Sequence, residues 1–175
     1  METFTDFKTL VANPAFAEQR RRALAQLDHA QIDVPIIDIV DGFAKLPYCF
    51  TMQSCYGHFV CGSQTDKSNL LPLAPSPETT QVEYRIAYLA LCVAEGDEGL
   101  ALLHDLKDVT KADPERIQFG CADWFWERQV NSYALQVEPL RHQYKDSVVL
   151  GYQEALLIQN TRDVFFTKLR RLLSC

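Results

Sequence analysis

Hydrophobic positions recur at helical spacing in the first third of the chain. One apolar stripe follows Asn13-Pro14, a pair in which Asn suits the N-cap of a helix and Pro its first turn. This stripe comprises Phe16, Ala23, Leu24 and Leu27. A second stripe lies between Pro35 and Pro47, with Asp33 just before it, where an acid suits a helix N-terminus. It comprises Ile36, Ile39, Val40 and Phe43. The pattern predicts two amphipathic helices.

The spacing then becomes typical of strands. Residues 48–52 and 56–61 are predicted to pair as two strands around a polar turn. Residues 62–81 have no periodicity and include Ser63, Ser76 and Pro77, which predicts a long loop that serves as a lid or is disordered. Residues 83–94 alternate and then become apolar on both faces, as a central strand does.

The second half of the chain predicts one helix, two strands and a last helix. The helix covers residues 97–109, and the strands cover residues 116–128 and 132–139. Asp146 is predicted to cap the final helix, which Thr161-Arg162 could break into two pieces. The order of elements indicates an α+β fold in a single domain, with a mostly antiparallel sheet flanked by helices and no Rossmann topology.

Composition places the chain among ordinary globular proteins. Its 175 residues are 47% hydrophobic and 23% charged, which suits one domain with one core. The net charge of −6 argues against a wide phosphate-binding face, so we expect no DNA partner, although a local basic patch stays compatible with it. The N-terminus lacks the apolar core of an export signal, and the longest apolar run, residues 86–94, is far shorter than the roughly 20 residues that span a bilayer. We therefore expect a cytoplasmic protein without a membrane partner.

The cysteines are expected to be reduced, since disulfide frameworks are typical of secreted chains. Cys49, Cys55 and Cys61, together with His58, suggest a zinc site. However, structural zinc pairs usually lie roughly two to four residues apart, and each gap here holds five residues. The sequence therefore predicts no metal site. The equal spacing instead predicts that the three thiols point to one buried face.

Residues 54–58, Ser-Cys-Tyr-Gly-His, carry the densest chemistry of the chain. Cys55 and His58 are the candidate catalytic residues, because a Cys beside a His can become a thiolate nucleophile. The alternative is that Cys55 is a small apolar side chain at a strand end. Gly57 predicts a positive φ or a close backbone approach. The amides of residues 56–58 could then bind an anion, or they could form an ordinary hairpin turn.

Aromatic residues mark a second candidate surface. If residues 116–128 form a strand, Trp124 and Trp126 share one of its faces, where they could stack on bases or belong to the core. The chain has no Gly-x-Gly-x-x-Gly, Walker or Gly-x-Ser-x-Gly motif, and its seven glycines form no phosphate-binding loop. A Rossmann-type nucleotide site is therefore not expected.

The segment from Phe50 to His58 resembles the hallmark of the wybutosine-synthesising tRNA methyltransferase family (its third-step enzyme), which reads Phe-Thr-Thr-Ser-Ser-Cys-Ser-Gly-Arg. The matching residues are Phe50, Thr51, Ser54, Cys55 and Gly57. The context is similar too, because an amphipathic helix opens after Asp33 and leads into the motif strand. The differing residues are Met52, Gln53, Tyr56 and His58, and His29-Ala30 stands where a Lys-Gly pair precedes the acid. The resemblance covers roughly residues 16–60.

The resemblance implies a protein that binds S-adenosylmethionine and modifies a tRNA base. It implies cofactor contacts from Thr51, Ser54, Tyr56 and Gly57. Cys55 and His58 would be the catalytic residues, and Tyr56 or Trp126 would stack on the substrate base or on adenine. Because His58 lacks the planar, permanently charged fork of Arg, a diverged member could keep the cofactor and change its substrate. The alternative is a noncatalytic protein-interaction or adaptor domain, which the acidic charge and the lack of a complete catalytic set favour.

Overall fold

A computed structural model describes residues 4–5, 7–62, 64–75, 78–142 and 145–174, with the backbone alone at residues 4–5. Within this part of the chain the helices are α1 (Phe16–Ala25), α2 (Ile37–Lys45), α3 (Asp97–Val109), α4 (Asp123–Arg128) and α5 (Tyr152–Leu173). The strands are β1 (Phe4–Thr5), β2 (Cys49–Cys55), β3 (His58–Val60), β4 (Gln81–Arg85), β5 (Ala87–Val93), β6 (Ile117–Ala122), β7 (Ser132–Val137) and β8 (Ser147–Gly151). The fold is α+β, as predicted. Ser63, Ser76, Pro77 and Cys175 lie outside the described residues.

Two antiparallel sheets form the centre of the described structure. The larger has the order β1-β6-β7-β5-β2, and the smaller has the order β3-β4-β8. Helix α5 packs against β4, β7 and β8 and also contacts α2 and α3. The core between them includes Phe43, Leu106 and Phe165, all fully buried. Among the described helices, none combines the length and apolar character needed to cross a membrane.

The helices predicted between Pro35 and Pro47 and over residues 97–109 are confirmed as α2 and α3. Helix α3 has the predicted bounds, Asp97–Val109, and follows Gly96, whose φ is 138°. Helix α2 buries Ile39, Val40 and Phe43, and Ile36 is buried in the turn before it. Both helices are amphipathic and dock on the core, so local pattern and tertiary packing agree here.

The predicted pairing of residues 48–52 with residues 56–61 is wrong. Strand β2 pairs with β5, with Cys55 opposite Tyr88, whereas β3 pairs with β4, with His58 opposite Arg85. These two pairings keep one continuous register. The chain therefore has two long strands, β2–β3 and β4–β5, that pair with each other and bend together where one sheet gives way to the other.

Gly57 and Tyr84 hold this bend. Gly57 has a φ of 89°, and a Cβ atom there would lie 2.8 Å from the Ala87 Cβ. The prediction of a positive φ and a close approach at Gly57 is thus confirmed. On the partner strand, the buried Tyr84 hydroxyl accepts from the Ala87 N–H at 2.8 Å and donates to the Val137 carbonyl at 2.8 Å. The hydroxyl satisfies the two backbone groups that the bend removes from regular pairing.

A β-bulge in β2 overturns the predicted common face of the cysteines. The register shifts between Thr51 and Gln53, so that Cys49 lies opposite Val93 but Cys55 lies opposite Tyr88. Positions 93 and 88 face opposite sides of β5, and Cys49 and Cys55 therefore do too. Cys61 lies beyond the bend and is only partly buried.

Residues 123–128 form helix α4, and the strand predicted over residues 116–128 ends at Ala122. The chain must reverse here because β6 and β7 are antiparallel neighbours, and a short helix that buries Phe125 completes the reversal. Trp124 and Trp126 consequently do not share a strand face. Trp124 stacks on Phe125 with ring centroids 4.1 Å apart, whereas Trp126 meets Tyr133 edge-on at 5.8 Å.

The last helix begins later than predicted and does not break. Residues 147–151 form β8, in which Val148 and Leu150 are buried and alternate with exposed residues. Helix α5 then runs from Tyr152 through Thr161-Arg162 without interruption, and both of these residues are buried in it. The period-2 pattern of the strand was masked because its apolar residues also fit the helical stripe that follows.

Glu138, just after β7, is a fully buried acid. Its Oε2 atom accepts from Gln136 Nε2 at 3.1 Å, and Oε1 has no partner among the described residues. Burial raises the pKa of Glu138 to about 8, and the nearby Asp146 acts in the same direction. Folding therefore favours the protonated acid. The resulting stability is fully present below pH 4.5 and is lost as the pH rises through about 8.

Glu138→Gln should make the protein less sensitive to alkaline pH. At about pH 9 the variant should be more stable than the wild type by on the order of 1–3 kcal/mol, because an amide needs no deprotonation penalty. At about pH 5 the two proteins should be alike. Urea denaturation at both pH values measures this, with the exposed Glu115→Gln as the control. An equal difference between wild type and variant at both pH values would contradict the assignment.

Gly57→Ala should destabilise the bend by roughly 2–4 kcal/mol, because it combines an unfavourable positive φ with a clash against Ala87. Gly62→Ala is the matched control, since nothing lies within 4 Å of a Cβ at that position. The control should change the free energy of unfolding by less than about 0.5 kcal/mol. If urea denaturation gave the two variants equal stability, the bend would not depend on Gly57.

Candidate functional site

A cleft of about 450 Å³ runs along β2, which lies at the edge of the larger sheet. Its walls come from the end of α1, the turns before α2, and strands β2 and β5. The lining includes Asp28, Ile32, Thr51, Met52, Ser54 and Tyr88. The cleft therefore contains two of the predicted cofactor-binding residues, Thr51 and Ser54.

The β-bulge is what brings Thr51 and Ser54 together. Thr51 lies opposite Leu91 and Ser54 lies opposite Leu89, so the two hydroxyl side chains share one face although they are three residues apart. Thr51 Oγ1 is buried and has no hydrogen-bond partner among the described residues. A buried hydroxyl without a partner costs free energy in the empty protein, and a ligand that bonded it would recover that cost.

Beyond Ser54, the strand end forms a compact cluster with the turn before α2. Asp33, Cys55 and His58 each direct one potential ligand atom to the same point, and these atoms lie within 4.8 Å of one another. His58 Nε2 is 3.2 Å from Asp33 Oδ2, and the Tyr56 N–H donates to the same oxygen at 2.7 Å. The structure thus brings the predicted pair Cys55 and His58 together. Asp33 and Cys55 directly follow the lining residues Ile32 and Ser54 along the chain, so on both segments the cluster begins one residue past the cleft lining.

Asp33 differs from its predicted role. Sequence reasoning placed it as an acid favoured by the α2 N-terminus, but its side chain caps no helix amide. The carboxylate instead accepts from the Tyr56 N–H, which is one of the amides predicted to bind an anion or to form a hairpin turn. No local sequence pattern indicated this contact, because Asp33 and Tyr56 are 23 residues apart.

The cluster is strongly polarised. Burial would raise the pKa of Asp33, but hydrogen bonds from His58 and the Tyr56 amide outweigh it and lower the pKa. Hydrogen bonds with Asp33 and Cys55 raise the pKa of His58 to about 10, against the opposing effect of burial. His58 Nδ1 lies 3.2 Å from the Asn69 carbonyl oxygen, which only accepts, so Nδ1 carries a proton. In the free protein His58 is therefore an imidazolium that can donate a proton or balance an anion, but it is not a base at neutral pH.

Arg162 completes the site and was not predicted as part of it. Its guanidinium is 2% exposed, donates to the Gly57 carbonyl at 3.1 Å and lies 4.0 Å from the centroid of the Tyr56 ring. It also pairs with Asp163 at 2.9 Å. The sequence signal for it is an arginine inside the apolar stripe of α5, where Thr161-Arg162 also fits a helix break.

The remaining predicted site residues lie outside the cleft lining. The Tyr56 ring stacks on Phe166 at 5.3 Å as well as on Arg162, so α5 holds it in place. Trp126 lies against Tyr133, with Lys8 Nζ 5.2 Å from its ring centroid. Trp124, not Trp126, packs in one cluster with the cleft residues Met52 and Tyr88.

Arg162→Lys should destabilise the protein by roughly 1–3 kcal/mol, although it keeps the charge. An ammonium cannot donate to Gly57 and Asp163 from one plane while it stacks on Tyr56. The same substitution at Arg21, which is exposed and pairs with Glu18 on α1, is the control and should cost less than about 0.5 kcal/mol. Equal urea midpoints for the two variants would show that the planar fork of Arg162 is dispensable.

Comparisons with known proteins inform the fold and leave the chemistry open. No protein-family model matches the chain, and no curated protein matches it. Among solved structures, the chain is similar to the PH1069 protein from Pyrococcus horikoshii, with a TM-score of 0.52 at 13% identity. The match covers 91% of this chain and 93% of that one. At this identity the likeness shows the fold alone, and it extends over nearly all of both chains.

Proposed function

We propose that the chain binds S-adenosylmethionine in the cleft along β2 and methylates a tRNA base, as a diverged relative of the wybutosine-synthesising methyltransferases. The observation that supports this proposal is that the side chains of Thr51 and Ser54 share one face of β2 and that both residues line the cleft. Both residues belong to the hallmark-like segment. One of them presents a buried hydroxyl without a partner among the described residues.

The size and lining of the cleft support a cofactor of this kind. Its volume of about 450 Å³ lies within the roughly 300–1,000 Å³ typical of small-molecule sites. Tyr88 offers an aromatic ring for an adenine, and the Asp28 carboxylate can accept hydrogen bonds from ribose hydroxyls. The residues that line the cleft include no glycine-rich loop, which is consistent with a non-Rossmann mode of binding.

The cluster beside the cleft would then act on the substrate base. In this proposal Cys55 and His58 lie next to the transferred group, and the His58 imidazolium balances developing negative charge or donates a proton. Trp124 takes the stacking role predicted for Trp126 in this proposal, since it packs against the same buried cluster as the cleft residues Met52 and Tyr88.

Thr51→Val tests the cofactor site, because it should weaken ligand binding without lowering the stability of the free protein. Because Thr51 Oγ1 lacks a partner, its removal should leave the free protein as stable or raise its stability by about 1 kcal/mol. The same change should reduce the gain in Tm that S-adenosylmethionine or S-adenosylhomocysteine gives. For the wild type, ligand at about 100 times its Kd should add about 2.7 kcal/mol, a rise of several degrees. Thermal unfolding with and without ligand measures both effects.

Ser132→Ala is the matched control for this experiment. Ser132 Oγ is also buried without a partner among the described residues, but it lies on β7 and does not line the cleft. The control should keep the full ligand-dependent rise in Tm. If wild type showed no rise with either ligand near millimolar concentration, the cofactor assignment would be wrong. A noncatalytic interaction or adaptor domain would then be the better hypothesis, to be pursued through partner pull-downs.

A further inference from the structure

The three side chains at the bend have a geometry that suits a metal cation. We propose that Asp33, Cys55 and His58 form a Zn²⁺ site with three protein ligands, through Asp33 Oδ2, Cys55 Sγ and His58 Nε2. The sequence argued against zinc because it compared cysteine spacings, and Asp33 did not enter that comparison. This proposal is independent of the S-adenosylmethionine site itself, which depends on Thr51 and Ser54. It gives Cys55 and His58 a different role from the one above, because Zn²⁺ would displace the thiol proton and any proton on His58 Nε2, and both would go to solvent.

One of the three distances between the ligand atoms already matches a tetrahedral zinc site, and the other two are at most 4.8 Å. Zinc binds sulfur at about 2.3 Å and nitrogen or oxygen at about 2.0–2.2 Å, which separates neighbouring ligand atoms by about 3.2–3.7 Å. His58 Nε2 and Asp33 Oδ2 are already 3.2 Å apart, and all three ligand atoms lie within 4.8 Å of one another. Movements of a few tenths of an ångström to about 1 Å would bring all three to ligand distance.

The surroundings orient these ligands as the outer shell of a metal site does. The Asn69 carbonyl accepts from His58 Nδ1–H at 3.2 Å, which leaves Nε2 as the atom that faces Asp33. A backbone carbonyl on the second ring nitrogen is the usual partner of a metal-binding histidine. The Tyr56 N–H fixes the Asp33 carboxylate from the other side at 2.7 Å. Each of these two ligands thus contacts a backbone group, His58 the carbonyl of Asn69 in the loop after β3 and Asp33 the amide of Tyr56 at the bend.

The choice of zinc follows from the donor types and their burial. A thiolate with an imidazole and one carboxylate favours zinc over magnesium or calcium, which prefer all-oxygen sets. Cys55 and His58 are 6% and 5% exposed, whereas the Asp33 side chain is 24% exposed, which gives the ion a path from solvent. Three protein ligands leave a fourth position for water or substrate, and the adjoining cleft could supply either.

Cobalt titration of the wild-type protein tests the proposal directly. Co²⁺ replaces Zn²⁺ in such sites, and a Co²⁺–thiolate bond gives a charge-transfer absorption band that carboxylate or imidazole alone does not. We expect this band to saturate at one equivalent of Co²⁺ and to disappear on addition of Zn²⁺. Absence of the band, or saturation at other stoichiometries, would overturn the proposal.

Variants assign the ligands. Cys55→Ser should abolish the band, and Asp33→Asn and His58→Gln should each weaken Co²⁺ binding by at least ~100-fold. Cys61→Ser is the matched control, because Cys61 lies near in sequence but outside the cluster. It should keep both the band and the affinity. A band that survives in Cys55→Ser, or is lost in Cys61→Ser, would show adventitious binding elsewhere.

X-ray absorption of the Zn²⁺-loaded wild type tests the ligands without any substitution, so its result does not depend on whether the variants fold. The expected first shell holds one sulfur with nitrogen or oxygen scatterers, together with the outer-shell pattern of a single imidazole. Two or more sulfurs, or none, would contradict the proposal without any substitution. Because the cofactor proposal is tested by Thr51→Val and nucleoside ligands, either proposal can fail while the other stands.

Discussion

The contact between Gly57 and Ala87 is the constraint on which the rest of the site depends. It allows two long paired strands to bend together, because no side chain separates their backbones at that point. The bend turns the Tyr56 amide and the His58 ring toward Asp33, while the Gly57 carbonyl points to Arg162. A single glycine thus fixes the position of a carboxylate, an imidazole and a guanidinium that come from three separate parts of the chain.

The charges gathered at this bend balance one another in pairs. Asp33 offsets His58, and Asp163 offsets Arg162, so the buried groups do not stay as isolated charges. The proposed relationship to the methyltransferase family allows His58 to be compared with the arginine of the hallmark segment. His58 occupies the place of the hallmark arginine, while a guanidinium reaches the same turn from Arg162, 105 residues after Gly57. A guanidinium from α5 therefore contacts this turn, although the position of the hallmark arginine holds a histidine.

Elements whose sequence pattern fits only one type of secondary structure could be predicted. Elements whose pattern fits both a helix and a strand could not. Helices α2 and α3 have apolar stripes that only a helix can bury on one side, and their bounds matched closely. Residues 123–128 carry two tryptophans at alternate positions and a phenylalanine between them, a composition that suits a strand, yet the reversal between β6 and β7 makes them a helix. The pairing of β2 with β5 depends on residues more than 30 positions away, which no local pattern encodes. For the site, the segment around Cys55 and His58 was visible in sequence, whereas Asp33 and Arg162 joined it only through the tertiary fold.

A buried polar atom without a partner marks a candidate binding site only when its residue also lines a cleft. Thr51, Ser132 and Glu138 each carry such an atom, so the feature alone marks no particular place in the described structure. Glu138 avoids the cost of a buried charge because its pKa, raised to about 8, keeps the carboxyl protonated at neutral pH, and it therefore needs no ligand. Ser132 lies within a central strand between neighbours on both sides. Thr51 differs because its strand is at the sheet edge and its hydroxyl belongs to a residue that lines a cleft. Since a hydroxyl does not titrate at neutral pH, Thr51 Oγ1 can be satisfied only by a hydrogen-bond partner, and a water molecule or a polar ligand in the adjoining cleft could supply it.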